Sequence, residues 1–204
     1  MKKVLTISLL FFVVSLHAQV KVSLRNGLSI SNISGSKSFK DEDNLTHYLP
    51  EIGIDYSLGE FSIGGGLSYL TAGFVDKIDL TNEDGSYIGT VNNNVEFSYL
   101  SVPLFVSYKL LDTKTYVGIN VGTALNFNTS SNSKYSSYTF KINNSKSVVP
   151  NILLGAQIGY NISEKISLDL SYRYNYALTE FNSSFKGGKL YSNVILIGIN
   201  YKLK

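Results

Sequence analysis

Eight stretches of this chain alternate apolar and polar residues with a period of two, and the segments between them alternate long and short without exception. Such alternation marks a strand whose two faces meet different surroundings. The final stretch shows it most cleanly. Tyr191, Ile195, Ile197, Ile199, Tyr201 and Leu203 share one face, interrupted by Asn193, while Ser192, Val194, Leu196, Gly198, Asn200 and Lys202 share the other. A strand this regular needs a partner on each edge, and in a closed sheet one of those partners is the first strand.

The predicted strands cover about 20–31, 48–58, 61–73, 95–110, 115–127, 148–162, 166–176 and 191–203. Short turns at Gly59-Glu60, 111–114 and 163–165 alternate with long polar connections at 32–47, 74–94, 128–147 and 177–190. Within the second long connection, Asp84-Gly85 is a hairpin signal between Lys77–Leu80 and Tyr87-Ile88, so this segment is expected to rise as a two-stranded ribbon. Pro103 lies inside the fourth strand and cannot donate a ladder hydrogen bond, which argues for a β-bulge there. A bulge would switch the outward set from Val95, Phe97 and Tyr99 to Leu104, Val106 and Tyr108. Without one, the even-numbered residues from Leu100 to Tyr108 would all face out. The bulge is the expectation.

The N-terminus has the form of an export signal. Met1-Lys2-Lys3 is followed by an apolar run from Val4 to Leu16, and Leu16-His17-Ala18 offers a small residue before a cut. A run of about 13 apolar residues is too short to span a bilayer as a helix. The chain therefore divides into residues 1–18, a cleaved signal peptide, and 19–204, a single domain. There is no cysteine to staple an exported fold. The formal net charge of +3 falls further once Lys2 and Lys3 are removed, which leaves no electrostatic footprint for nucleic acid.

Alternation alone does not say which face is inside. Only 16% of the residues are charged, whereas a soluble surface is typically about a quarter to a third charged. The polar faces are mostly Gly, Ser and Asn, small enough to fill a narrow lumen. Aromatic residues gather at strand ends: Tyr56, Phe61, Tyr108, Tyr160 and Tyr201 beside short turns, and Tyr69, Phe127, Tyr174, Tyr176 and Tyr191 beside long connections. Two such girdles belong to a barrel in a bilayer. The expected fold class is all-β: an eight-stranded antiparallel transmembrane β-barrel, an up-and-down meander in the outer membrane with both termini periplasmic. Its first partner would be the lipid bilayer itself.

Three segments carry a family resemblance: Tyr99 to Lys109 (Y-L-S-V-P-L-F-V-S-Y-K), Leu168 to Thr179 (L-D-L-S-Y-R-Y-N-Y-A-L-T) and the closing V-I-L-I-G-I-N-Y-K-L. Together with a signal ending in Ala18-Gln19, they resemble the PorT-like outer-membrane β-barrels. The resemblance implies an eight-stranded barrel delivered by the outer-membrane assembly machinery. Because the family's named member serves protein secretion, it also implies a possible envelope partner.

On the predicted lumen face, Arg25 and Arg173 accompany Glu51, Asp55 and Asp169, with Asn120 and Gln157 nearby. Buried charges need partners, so these seven residues are expected to form a polar network. A plug that fills the barrel is the simpler reading, and a gate or narrow solute channel is the alternative. A hydrolase would need a serine nucleophile and a histidine base, and after the signal peptide only His47 is on offer. Asp79, Asn82, Asp84 and Gly85 depart from calcium-loop spacing and lack its closing Glu. No catalytic residue, metal or cofactor is assigned. The function expected is structural or partner-binding, carried by the four long connections, with a place in a secretion or envelope-assembly machine as the alternative.

Overall fold

A computed structural model describes residues 19–35, 42–136 and 138–203. The cleavage expected after Ala18 lies outside the described residues. The strands are β1 (Gln19–Ser34), β2 (Glu42–Leu58), β3 (Phe61–Thr81), β4 (Tyr87–Asp112), β5 (Thr115–Tyr135), β6 (Tyr138–Lys141), β7 (Val148–Asn161), β8 (Ile166–Ala177) and β9 (Lys189–Lys202). All pair antiparallel. The order β4-β3-β2-β1-β9-β8-β7-β5 returns to its start through β4–β5 pairing, which closes an eight-stranded barrel. Closure leaves the wall without an edge. The last strand has the two partners expected of it, with Leu24 opposite Ile199 on one side and Leu168 opposite Ile199 on the other.

The wall is apolar outside and polar inside. Ile54, Ile63, Val121 and Ile197 stand exposed on the outer surface, while Ser23, Ser29, Ser107, Asn126, Ser167, Ser171 and Ser192 are buried on the inner one. This inversion of a soluble protein suits hydrocarbon outside and a side-chain-filled lumen. Polar residues on the outer face are neutralised locally: the Tyr172 hydroxyl donates to Asn193 Oδ1 at 2.6 Å, and the Tyr48 hydroxyl donates to Asn26 Oδ1. The Tyr172 bond accounts for the polar interruption in the outward row of β9.

Two ends differ. Gly59-Glu60, 113–114 and 162–165 make one end, where the Leu203 N–H donates to Val20 O at 2.8 Å and ties the end of β9 to the start of β1. The other end carries the long connections. There β3 and β4 run on beyond the wall to the turn at 82–86, where the Asn82 N–H donates to Ser86 O and Gly85 takes a left-handed φ of 81°. The ribbon expected from Asp84-Gly85 is present. The third long connection contains β6, which pairs with the end of β5 from Asn132↔Lys141 to Tyr135↔Tyr138.

The bulge expected at Pro103 is absent. Leu104 pairs with Gly65 and Ser101 with Ser68 in one unbroken register, and the β4–β5 register is continuous from Tyr99 to Lys109. Leu100, Leu104 and Val106 face out together, and Val95, Phe97 and Tyr99 are buried rather than outward. Pro103 is accommodated because no ladder bridges form at Gly66 and Leu67, so the missing N–H costs no partner. The β4–β5 irregularities fall instead between Ser98 and Tyr99, where Thr129 is the extra residue on β5, and between Lys109 and Leu111, where Leu110 is the extra residue on β4.

A second break lies between β2 and β3. Asn44 pairs with Phe74 and Glu51 with Ser68, with no ladder bridges between them. Pro50 sits in this seam without a donor. Ser31 reaches across from β1 to replace the lost partner. The Gly73 N–H donates to Ser31 Oγ at 2.8 Å, and that hydroxyl lies 3.0 Å from Gly73 O and 3.3 Å from Leu45 O.

Candidate functional site: a charged lumen beneath an apolar cap

Strand registers place the interior charges at one level. Arg25 on β1 lies directly opposite Glu51 on β2, and Lys21 opposite Asp55. Asp169 and Arg173 sit four residues apart on β8 and so share its inward face. Between β1 and β8 runs β9, where Gly198 pairs with both Arg25 and Asp169. A Cβ at Gly198 would lie 2.3 Å from Asp169 Oδ1 and 2.6 Å from Arg25 Cγ. The absent side chain therefore lets the two charges meet across a whole strand.

Arg25 contacts three carboxylates. Its Nε donates to Asp169 Oδ2, its Nη1 to Glu51 Oε1 and its Nη2 to Asp55 Oδ2, each at 3.2 Å. Arg173 grips Glu51 with both ends of its fork, Nη1 to Oε2 at 2.6 Å and Nη2 to Oε1 at 2.8 Å. Planar guanidinium matches planar carboxylate in this bidentate arrangement. The face of Phe105 lies 5.2 Å from the Arg173 guanidinium, adding a cation–π contact. With Lys21 beside Asp55, three cations balance three anions, so the cluster needs no further ion.

Of the seven residues expected in this network, the structure joins Arg25, Glu51, Asp55, Asp169 and Arg173 by hydrogen bonds. Asn120 is buried on β5, but its Oδ1 has no hydrogen-bond partner. Gln157 packs beside Gly118 instead. Sequence reasoning missed Phe105, Lys21 and Tyr116. Tyr116 is buried, accepts the Asn200 amide at 3.4 Å and lies under Lys21 Nζ at 5.5 Å from its ring centre. Period two did place Tyr116 and Phe105 on the inward rows, and that was the available signal.

Apolar layers close the lumen towards the long-loop end. Leu49, Leu70, Val194 and Leu196 pack directly above the charges. Beyond them Ile33, Phe74, Phe97, Tyr99, Leu190 and Phe181 form a second layer. Phe181 belongs to the connection after β8 and folds into the mouth, its ring 4.6 Å from that of Phe97. The Lys146 N–H donates to Phe181 O at 2.9 Å, and Asn182 Nδ2 donates to Asn143 O at 2.8 Å. The third and fourth long connections are thus fastened to each other over the cap. Cavities between the layers are about 10 and 20 Å³, room for about one water each.

Beyond the cap the polar side chains range from buried Glu96 to the exposed turn at Asp84. Glu96 bonds Lys134 Nζ at 2.6 Å and faces His47 Nε2 at 3.7 Å. His47 Nε2, which a serine hydrolase would use as base, makes no hydrogen bond to a serine hydroxyl. Asp79 Oδ1 accepts from the Thr90 hydroxyl at 2.7 Å, and Asp84 Oδ1 accepts from the Ser86 N–H and hydroxyl. The Ser86 bonds hold the Asp84 carboxyl below its ordinary pKa. Burial, reinforced by the nearby Glu42 carboxylate, pushes Asp76 up. Asp79 and Asp84, the aspartates of the would-be calcium loop, bond within the hairpin instead.

No curated protein sequence matches this chain. Among solved structures, Neisserial surface protein A is 17% identical, with 90% of this chain and 97% of that chain covered and a TM-score of 0.49. Ail, the attachment invasion locus protein of Yersinia pestis, is 12% identical over 89% of this chain and 98% of that chain, at a TM-score of 0.47. OprG from Pseudomonas aeruginosa is also 12% identical, over 92% of this chain and 97% of that chain, with a TM-score of 0.47. A family model described as the outer membrane protein beta-barrel domain matches residues 12–183. That match covers most of the chain and agrees with its closed meander and inverted faces: the chain belongs to the outer-membrane protein β-barrel domain family.

Proposed function

We propose that the protein is a closed barrel whose role is structural or partner-binding, with its lumen serving as a brace and its protruding ribbons as the working surface. One contrast carries the reading. The interior is filled by paired charges and two apolar layers, while β3, β4 and β5 continue past the wall, where Tyr87 on β4 and Tyr138 and Phe140 on β6 stand exposed. Paired ribbons above a braced wall suit recognition of an envelope or surface partner. In this reading the short-turn end and both termini face the periplasm, after export by a leader cleaved at Ala18.

The chain has no cysteine, so single thiols can be introduced as reporters. Ser86→Cys should react with a membrane-impermeant maleimide on intact cells, and Glu60→Cys only after lysis. The reverse pattern would overturn the orientation. Replacing residues 78–91 with a short turn should abolish cross-linking to the envelope partner while leaving a heat-modifiable barrel. Undiminished cross-linking would remove the ribbon from the function. The PorT-like resemblance of Tyr99–Lys109 and Leu168–Thr179 favours a narrower version, in which that partner belongs to a secretion or envelope-assembly machine. Co-purification from native membranes tests this version, and recovery of the barrel alone would count against it.

A further inference from the structure

The outward row of β7 runs Ile152, Leu154, Ala156, Ile158 and Tyr160, and Ala156 is a notch among large side chains. It lies opposite Ile119 on β5 and Tyr172 on β8. The notch opens a groove of about 390 Å³ walled by Val117, Ile158, Leu170, Tyr172 and Ile195. Ile158 and Leu170 also wall a second groove of about 350 Å³, which continues past Leu168 and Ile197 to Tyr160. The two form one apolar trough that descends the outer wall to the short-turn end. From Ala156 to Tyr160 the strand advances about 13 Å along its axis, which at the roughly 40° tilt of such walls covers about 10 Å of one leaflet's half of a hydrocarbon core about 30 Å thick.

The foot of the trough is cationic. Lys114 Nζ lies 5.1 Å from the centre of the Tyr160 ring, held on the outward side of the wall. Lys165 stands exposed at the adjoining turn between β7 and β8. An acyl-length apolar trough that ends in a lysine, a tyrosine and a second lysine matches one molecule with a hydrocarbon tail and a negative head. We propose that this trough is a binding site for a glycerophospholipid with an anionic head group, taken from the leaflet at the short-turn end. The tail lies against Ala156, Ile158 and Leu170, and the phosphate meets Lys114 and Lys165. The proposal rests on the barrel's residence in the outer membrane.

Native mass spectrometry of the full barrel, released from detergent after stripping and re-addition of lipid, reads the site directly. Phosphatidylglycerol should be retained at one molecule per chain, in preference to phosphatidylcholine of the same acyl composition. Ala156→Phe fills the trough and should reduce retention of both lipids. Lys114→Gln should lower retention of phosphatidylglycerol by about fivefold, the worth of one lysine near anionic lipid, and leave phosphatidylcholine unchanged. Both substitutions face outward, and a heat-modifiability gel establishes independently that each variant is a folded membrane barrel. Equal retention of the two lipids, or retention unaffected by Ala156→Phe in a folded variant, overturns the proposal. So does a dimer of this chain that Ala156→Phe dissociates with no change in bound lipid.

Discussion

Glu51→Gln tests the electrostatic brace at its centre. Glu51 accepts both arms of Arg173 and one arm of Arg25, with its side chain 2% exposed. Removing its charge leaves Arg25 with Asp55 and Asp169, but deprives Arg173 of its carboxylate partner. The guanidinium would then rely on the face of Phe105 and on weaker bonds to the amide. Breaking a buried pair by neutralising one member costs about 3–5 kcal/mol, because the other charge stays buried. Replacing both, as in Glu51→Leu with Arg173→Met, removes the stranded charge along with the pair and should cost less than about 1.5 kcal/mol. A matched cycle, with Glu51→Leu and Arg173→Met each also made alone, should therefore yield a coupling energy of at least about 2 kcal/mol. The chain has no tryptophan, so urea titration of the micelle-bound barrel should be followed by far-ultraviolet circular dichroism and by the fraction migrating as folded on unheated gels. A single-variant loss below about 1 kcal/mol, with an additive double variant, would refute the brace.

Three further substitutions probe other joints. Ser31→Ala removes the hydroxyl that closes the β2–β3 seam and strands the Gly73 N–H, which should cost about 1–3 kcal/mol in the same titration; Ser31→Thr should retain most of it. Gly198→Val drives a side chain between Arg25 and Asp169 and should cost about 1–3 kcal/mol from overpacking alone, whereas Gly198→Ala should be milder. At the ribbon, Asp76 has its folded pKa raised by burial and Glu42, so its charge opposes folding above that pKa and the penalty vanishes as pH falls through it. Asp76→Asn should accordingly slow proteolysis of the ribbon at neutral pH and make no difference in acid. A protective effect of equal size at both pH values would remove the ionisation from the account.

Much of the fold was legible because lipid and lumen impose opposite demands on alternate residues. The rows of β8 and β9 could be read directly, and so could the inward placement of Arg25, Glu51, Asp55, Asp169 and Arg173. The signal failed where the solvent contrast fails. Above the membrane both faces of the ribbons meet water, so Asn92-Asn93-Asn94 and Ser130–Ser133 show no period of two although they are strand. The cap misled for the opposite reason. Val95, Phe97 and Tyr99 are apolar and read as outward by pattern alone, but Phe181 folds over the mouth and makes the inside apolar at that level. Pro103 was read through its missing donor, and the local gap in the β3–β4 ladder absorbs that loss without a bulge. Which carboxylate meets which arginine was set by closure and by Gly198, features that no local pattern carries.

A planar-bilayer recording of the purified barrel tests the central claim most directly, that the interior is a brace rather than a path. The charged layer beneath Leu49, Leu70, Val194 and Leu196, and the Phe97–Phe181 cap above them, predict a bilayer that stays silent at all applied voltages. Discrete conductance steps that disappear on Arg173→Ala would contradict the account and make the same residues the walls of a channel.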